Sequence, residues 1–482
     1  MPRSHTKLRS VRLLSFALVC LAAACASAPA PLDTAAIEHA LATLTARPEL
    51  AGGRIGVHVL AAPGGALVAS HAADRGFATA SNLKLLSAVI GLATLGPEQR
   101  FGTEVHVHGA VDAGTLRGEL RLVGGGDPSF GSKAQFDELA ALLRARGIER
   151  LVGRVVADDG WLGSEHRGLG WQWDYLDEDY AAPFGALCCR GNTIAVQVAI
   201  DGGAAKVTCT PAVGPAPAVA VDVLPAGGKG ELAVRRPLGR DRIEVVGALP
   251  LDAKPRTVRI AVHDPAAFTA AVTIAELRAR GLAIDELQDV VAVGAPELLT
   301  TFVSAPLGEL VQPLLCFSDN LFAEQVWRIA ARVATGDGST AASAAHGRSV
   351  LATLGIDPQG LVQADGSGLS RRNLVQPRQL AGVLSAAWQA PWREPFVAAL
   401  PLAGATGTLK NRFRDGPAHQ HVRAKTGYIA RVVCLSGYVL RPNPLAEPLV
   451  FSVMLNDFTC SDDEAKAAVD AFVQALAKAA GW

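Results

Sequence analysis

The sequence lacks net charge, and it lacks any run of lysines and arginines after its first residues. Its 45 basic side chains balance 45 acidic ones over 482 residues. Proteins that bind nucleic acid carry basic side chains clustered on one surface. The composition therefore argues against nucleic acid as a partner.

The motifs of several other chemistries are absent as well. No C-x-x-C pair suggests a zinc or redox site, and no G-x-S-x-G motif suggests a Ser-His-Asp hydrolase. Two histidine pairs, His106 with His108 and His419 with His421, have no H-E-x-x-H motif beside them. Gly124-Gly125-Gly126 lacks the spacing of a dinucleotide-binding loop. We therefore expect neither a metal nor a cofactor.

The amino-terminal segment has the pattern of an export signal. Four basic residues between Arg3 and Arg12 precede an apolar stretch of 12 residues, Leu13 to Ala24. That length is typical of a signal peptide and too short to cross a bilayer. Cleavage near Ala26-Ser27-Ala28 would release a periplasmic protein. Ala22-Ala23-Ala24-Cys25 also resembles a loose lipoprotein box, and cleavage there would leave an envelope protein anchored through a lipidated Cys25. We predict that residues 1–30 are a signal peptide, a membrane anchor being the alternative.

Export bears on the cysteines, because disulfides form and persist outside the cytoplasm. Cys209 paired with Cys188 or Cys189 would close a short hairpin. Cys434 paired with Cys460 would join two carboxy-terminal strands. Both are candidate disulfides, and their pairing stays open at this point.

Periodicity and turn residues predict the elements of the first and last parts of the chain. The predicted helices are 31–50, Ser81–Leu95, Val303–Ala331 and Asp462–Ala480. The predicted strands are Arg54–Leu60, Ala66–Ser70, Val422–Lys425, Val432–Leu440 and Leu449–Asn456, with a hairpin turn at Pro63-Gly64-Gly65. Helix, strands, and then helices and strands again are typical of an α+β domain whose antiparallel sheet is flanked by helices.

The middle of the chain, residues 101–297, is dominated by strand-like runs that Gly and Pro punctuate. These runs are Thr103–His108, Leu116–Val123, Arg154–Ala157, Thr193–Ile200, Arg242–Val246 and Thr257–Val262. This is too much chain for a loop. We predict one or two inserted, mostly β, domains that split another domain into residues 31–100 and 298–482, with Pro211–Pro225 as a turn-rich connector.

Three short motifs contain the side chains of one mechanism: Ser81-Asn82-Leu83-Lys84, Ser318-Asp319-Asn320 and Lys425-Thr426-Gly427. A serine at a helix start lies near free N–H groups and the positive end of the helix dipole, which favour an alkoxide. Lys84 follows one turn later among leucines, where a lysine can lose its charge and act as a base. Each motif alone also occurs as an ordinary helix cap or strand-end lysine, and for Ser81 with Lys84 alone a cap with a surface lysine is the better explanation. The ordered set of three reverses this and favours catalysis.

The second and third motifs would complete such a site. Ser318 could pass a proton to a leaving amine, and Asn320 offers a donor and an acceptor to a substrate peptide bond. Lys425 supplies positive charge and Thr426 a hydroxyl for a terminal carboxylate, while Gly427 lets a substrate backbone approach the strand.

With these motifs the chain resembles the class C low-molecular-mass penicillin-binding proteins, the D-Ala-D-Ala carboxypeptidases/endopeptidases. Further matching segments are Gly124–Pro128, Trp171–Asp174, Tyr180–Pro183, Asp365–Arg371, Leu400–Gly404, Gly407–Leu409 and Leu435–Tyr438. The resemblance implies a penicillin-binding/β-lactamase-like serine transferase-hydrolase domain with two nested insertions, the inner one at about 124–205. It also implies peptidoglycan peptides and β-lactams as partners, and an oxyanion hole made by the backbone N–H groups of Ser81 and Tyr428.

Two positions depart from the pattern of that family. Cys316 and Phe317 precede the second motif, where the family often has lysine. Tyr428 follows the third motif, where the family often has threonine. Both departures concern contacts to the substrate rather than the class of reaction.

Three functions compete on this pattern. The first is a serine-type D-Ala-D-Ala carboxypeptidase, also a DD-endopeptidase, that works through an acyl-enzyme. The second is a serine β-lactamase of the same fold, but Glu324 and Glu394 lie at the wrong distances for the glutamate that class A β-lactamases use in deacylation. The third is a non-catalytic wall-binding protein, which the intact serine–lysine pair disfavours. The first function is favoured, and the oligomeric state stays open.

Overall fold

The structure is a computed structural model that describes residues 32–62, 65–240, 242–443 and 447–482. The predicted signal peptide, Cys25 and the turn residues Pro63-Gly64 lie outside these ranges. Within the described ranges, no helix is both long and apolar enough to cross a membrane.

The described residues form ten α-helices and sixteen β-strands. The helices are α1 (Thr34–Thr45), α2 (Lys84–Leu95), α3 (Lys133–Ala145), α4 (Pro265–Ala279), α5 (Leu307–Cys316), α6 (Asn320–Thr335), α7 (Thr340–Thr353), α8 (Pro377–Gln389), α9 (Arg393–Ala399) and α10 (Asp462–Ala479). The strands are β1 (Arg54–Ala61), β2 (Ala66–His71), β3 (Gly102–Asp112), β4 (Thr115–Gly124), β5 (Arg150–Asp158), β6 (Thr193–Asp201), β7 (Ala204–Thr210), β8 (Ala218–Leu224), β9 (Leu232–Arg235), β10 (Glu244–Pro250), β11 (Arg256–Ala261), β12 (Ala283–Glu286), β13 (Glu297–Val303), β14 (Val422–Ile429), β15 (Val432–Val439) and β16 (Leu449–Asn456).

One antiparallel sheet brings the two ends of the chain together, with its strands in the order β14-β15-β16-β1-β2. Every residue of β15 and β16 is buried, because helices cover both faces of the sheet. Val433 faces the layer of α1 and α10, whereas its neighbour Cys434 faces the layer of α2, α5, α6, α8 and α9. This arrangement confirms the predicted α+β domain with an antiparallel sheet flanked by helices.

The middle of the chain forms three further sheets. The largest of them has the strand order β12-β5-β4-β3-β13 and packs with α3 and α4 around one apolar core. The two smaller sheets, β11-β6-β7 and β8-β10-β9, share a second apolar core. Strands β6 to β11 lie in sequence between β5 and β12, so the two smaller sheets are nested within the larger one. We propose on this pairing that the inner insertion spans about residues 193–261, rather than the predicted 124–205, and that the outer one ends near residue 303.

Two predicted elements are wrong in ways that have a physical cause. The helix predicted at Val303–Ala331 is interrupted: Val303 ends β13, α5 ends at Cys316 and α6 begins at Asn320. The connector predicted at Pro211–Pro225 contains strand β8, because β8 pairs in parallel with the distant β10. Such pairing depends on a partner far along the chain and leaves little trace in local composition.

The candidate disulfides are wrong as well, because all six cysteines of the described residues are free thiols. Cys434 and Cys460 pack against opposite faces of the first sheet. Cys188, Cys189 and Cys209 belong to three different apolar clusters. A disulfide requires Cα atoms closer than about 7 Å, and segregation into separate cores is incompatible with that approach.

Candidate active site

Ser81 lies in a 3₁₀ turn, Ala80–Leu83, immediately before α2. The sequence predicted it at the start of the α-helix itself, which instead begins at Lys84. Ala80 has a left-handed backbone, with φ of 44°, and a non-glycine residue in that conformation is strained. The turn is therefore held in place by the surrounding structure and not by the backbone preference of its own residues.

Two glycines from other segments, Gly368 and Gly427, lie directly against this turn. A Cβ atom on Gly368 would lie 1.9 Å from the carbonyl oxygen of Ala80, and one on Gly427 would lie 2.4 Å from that of Thr79. The predicted approach of a substrate backbone to Gly427 stays a prediction; the structure adds that the Ser81 turn fills the space that a side chain at Gly427 would take. Asn82 Nδ2 donates a hydrogen bond of 2.8 Å to the carbonyl oxygen of Lys425, which links the turn to β14.

Lys84 is fully buried, and its Nζ atom has three close partners. It lies 2.8 Å from Ser81 Oγ, 2.5 Å from Asn320 Oδ1 and 2.8 Å from the carbonyl oxygen of Ser367. The last two partners can only accept hydrogen bonds. A neutral amine that donates its two N–H bonds to them directs its lone pair at the Ser81 hydroxyl, which is the geometry of a general base.

Burial lowers the pKa of Lys84 to about 8, because a charged ammonium is poorly solvated there. The carboxylates of Asp365, Asp319 and Glu324 oppose this shift by attracting the ammonium. A base that exchanges its proton near the working pH is suited to proton transfer.

The second and third motifs meet beside this pair. Lys425 is fully buried, and its Nζ donates hydrogen bonds of 3.0 Å to Ser318 Oγ and to the carbonyl oxygen of Thr426. Burial, together with the nearby Lys84, moves the pKa of Lys425 well below its ordinary value. Ser318 is itself in a left-handed conformation, with φ of 64°, at the break between α5 and α6.

The remaining predicted residues lie around this centre. Asn320 uses its oxygen for Lys84, and its Nδ2 donates to the carbonyl oxygen of Tyr180 at 2.6 Å. Thr426 Oγ1 donates to Thr408 Oγ1 at 2.8 Å. Tyr428 is half exposed, and its hydroxyl donates to Asp462. The structure thus joins Ser81, Lys84 and Asn320 by hydrogen bonds and Ser318 to Lys425 by another, and Thr426, Gly427 and Tyr428 follow Lys425 along β14.

Sequence reasoning missed two backbone contributions to the site. Ser367 accepts a hydrogen bond from Lys84 through its carbonyl group, and Tyr180, from the inserted region, does the same for Asn320. Both residues lie in segments that carry the family resemblance, but a carbonyl contact cannot be recognised from residue type. The histidine pairs lie elsewhere, and no group of three or more His, Cys, Asp or Glu among the described residues could hold a metal ion.

An antiparallel sheet between helical layers, with a serine–lysine pair beneath an edge strand that carries K-T-G, defines the class of penicillin-binding proteins and serine β-lactamases. Within this class, the sequence profile of the D-Ala-D-Ala carboxypeptidase 3 (S13) family matches residues 37–479, and the chain belongs to that family. It is a serine-type D-Ala-D-Ala carboxypeptidase. The predicted family, fold class and enzyme class are confirmed.

Similar proteins agree with this assignment. A D-alanyl-D-alanine carboxypeptidase of an Actinomadura species is 35% identical over 463 residues, which cover 90% of this chain and 83% of that protein. The D-alanyl-D-alanine carboxypeptidase DacB of Haemophilus influenzae is 28% identical over 403 residues, which cover 80% of this chain and 82% of that protein. The crystal structure of penicillin binding protein 4 from Haemophilus influenzae has a TM-score of 0.77 at 27% identity and covers 90% of this chain and 98% of that one.

Proposed function

We propose that Ser81 is the nucleophile and Lys84 the general base of the carboxypeptidase reaction. Ser81 Oγ attacks the carbonyl carbon between two D-alanines while its proton moves to Lys84 Nζ. The tetrahedral intermediate collapses, the terminal D-alanine leaves as an amine that takes up a proton, and water then hydrolyses the acyl-enzyme. The observation that carries the proposal is the contact of Lys84 Nζ with Ser81 Oγ at 2.8 Å, with both other partners being carbonyl-type acceptors.

The other side chains would bind and protonate the substrate. Ser318 lies 3.0 Å from Lys425 Nζ and is placed to deliver a proton to the leaving amine. Asn320 and the edge of β14 would bind the peptide, with Lys425 and Thr426 nearest its terminal carboxylate. The resemblance to the family supports an oxyanion hole formed by the backbone N–H groups of Ser81 and Tyr428.

The substrates that fit this chemistry are peptidoglycan stem peptides. We propose that the same site also acts as a DD-endopeptidase, because a D-Ala–diaminopimelate cross-link presents the same acyl group to Ser81. The basic and apolar segments before residue 31, together with membership of a family of exported cell-wall enzymes, support action in the periplasm or envelope, with lipidation of Cys25 as a variant.

Covalent labelling by penicillin tests this function. The Haemophilus influenzae relative has been solved in complex with a β-lactam, and we expect penicillin to form a long-lived adduct on Ser81 here. Intact-mass spectrometry should show one adduct on the native protein and none on Ser81→Ala. An adduct that persists on Ser81→Ala would refute Ser81 as the nucleophile.

The lifetime of that adduct separates a carboxypeptidase from a β-lactamase. Glu324 is fully buried, and its Oε1 accepts backbone N–H groups of Gly366 and Ser367, so it is not available to activate a deacylating water. We therefore expect slow hydrolysis of the adduct. Turnover of penicillin faster than cleavage of a D-Ala-D-Ala peptide would favour the β-lactamase alternative.

Thr426 is expected to distinguish a free carboxy terminus from an internal cross-link. A hydrogen bond to a charged group contributes about 1.5–3 kcal/mol, which corresponds to roughly 10- to 150-fold in rate. We expect Thr426→Val to lose activity by that factor on a free D-Ala-D-Ala terminus, and by less on an ester analogue that lacks the carboxylate. The measurement is kcat/KM for both substrates.

Thr408→Val is the matched control, because it removes the hydroxyl that accepts the Thr426 hydrogen bond and leaves Thr426 in place. We expect it to affect both substrates alike. Equal losses on the two substrates in Thr426→Val would show that Thr426 supports the architecture of the site and does not recognise the carboxylate.

A further inference from the structure

A buried carboxylate lies directly behind the proposed base. Glu324 follows Asn320 by one turn of α6, so both side chains project from the same face of the helix. Glu324 Oε1 accepts hydrogen bonds of 2.9 Å from the N–H groups of Gly366 and Ser367. Ser367 is the residue whose carbonyl oxygen receives Lys84 Nζ. The backbone of Gly366 and Ser367 therefore lies between the Glu324 carboxylate and Lys84 Nζ.

The neighbouring peptide group is held by a second buried carboxylate. Asp365 Oδ1 accepts a hydrogen bond of 2.9 Å from the N–H of Gly368, which belongs to the same peptide group as the Ser367 carbonyl. Three successive N–H groups of this loop thus point at two carboxylates. Carboxylates that accept backbone N–H groups form strong, geometrically defined bonds in a dry interior, so the loop presents its carbonyl to Lys84 in one orientation.

The charged groups around this network affect whether Lys84 is protonated. Glu324 faces Arg328, whose Nε lies 3.8 Å from Oε2, and it also faces Asp365. Lys84 is faced by Asp365, Asp319, Glu324 and the side-chain amine of Lys425. Burial, reinforced by Asp365, raises the pKa of Glu324 to about 7, close to the pKa of about 8 of Lys84.

We infer that Glu324 is a positioning residue for Lys84: it fixes the loop that orients the amine, and its negative charge stabilises the protonated form of the base. This inference rests on the proposed function of Lys84. Removing the charge while keeping the hydrogen-bond acceptor should make Lys84 easier to deprotonate, because attraction between opposite charges favours the charged form. The pH at which acylation becomes fast should therefore fall.

Glu324→Gln tests the charge, because the amide keeps an oxygen for the two N–H groups. The measurement is the rate constant of acylation by a chromogenic β-lactam across the acid side of the pH profile. We expect the acid limb to move to lower pH by about half a unit or more, which is about threefold in the fraction of neutral Lys84. A limb that stays at the native pH overturns the inference, because loss of structure alone lowers the rate at every pH.

Glu165→Gln is the matched control. Glu165 Oε2 also pairs with Arg328, at 2.8 Å from Nη1, whereas the loop at Gly366–Gly368 donates its backbone N–H groups to Glu324 and Asp365. We expect its acid limb to remain at the native pH. A shift equal to that of Glu324→Gln would assign the effect to Arg328 and overturn the inference.

Glu324→Asp tests the positioning part and covers the case in which Glu324→Gln does not fold. Its charge remains, but its shorter side chain withdraws the oxygen from the two N–H groups. We expect a native acid limb with a lowered plateau, and a native plateau would overturn the positioning part. The proposed function itself fails on a different result, namely acylation of Ser81→Ala or a native protein without any acid limb.

Discussion

Replacing Lys84 by methionine is expected to slow acylation of Ser81 by about 10²–10⁴-fold, the usual contribution of a general base. Methionine retains most of the apolar stem in a fully buried position, so the change removes mainly the amine. Without it, the Ser81 hydroxyl has no partner at 2.8 Å to take its proton. The measurement is the rate of covalent labelling by a β-lactam, with the melting temperature as a check on folding.

The pH dependence gives this prediction a second signature. The neutral amine is the active form, and the pKa of Lys84 is about 8. Acylation by the native protein should therefore rise with pH through that value and then level off, whereas Lys84→Met should show no such rise. Lys410→Met, a change at an exposed lysine, is the control. Near-native labelling by Lys84→Met would identify another group as the base.

Replacing Gly427 by alanine is expected to lower the rate of acylation by about 10²-fold or more, the cost of misplacing reacting groups by about 1 Å. The added Cβ would lie 2.4 Å from the Thr79 carbonyl oxygen and 3.0 Å from Asn82 Nδ2. One of the two elements must therefore move, and either movement separates the Ser81 turn from the strand that carries Lys425 and Thr426. Rates of β-lactam labelling and of peptide cleavage should fall together.

The control for this change is Gly308→Ala in α5, where the added Cβ would have no neighbour closer than 3.4 Å. It should retain native activity. A Gly427→Ala protein that labels at the native rate would show that the Ser81 turn and β14 can separate without cost. A protein that does not fold would still contradict the prediction in one respect, since we expect the sheet to remain intact.

The sequence by itself determined the class of the protein and the elements that surround its site. Strands Val432–Leu440 and Leu449–Asn456 were predictable to within about one residue, because both faces are buried and the apolar run is continuous. The stop at Gly96 likewise ends α2, where the backbone adopts a φ of 79°. The three motifs predicted Ser81, Lys84, Asn320, Ser318 and Lys425 as site residues, and the structure joins the first three by hydrogen bonds and the last two by another.

Only the tertiary structure decided how these groups are oriented. The carbonyl of Ser367, the carbonyl of Tyr180 and the left-handed backbone of Ser318 shape the site, yet none of them depends on a side chain that a motif could reveal. The same holds for the contact of Gly427 with the Ser81 turn, which only the packed structure reveals. Local sequence specifies functional groups and apolar periodicity, whereas backbone contacts between distant segments arise only when the whole chain packs.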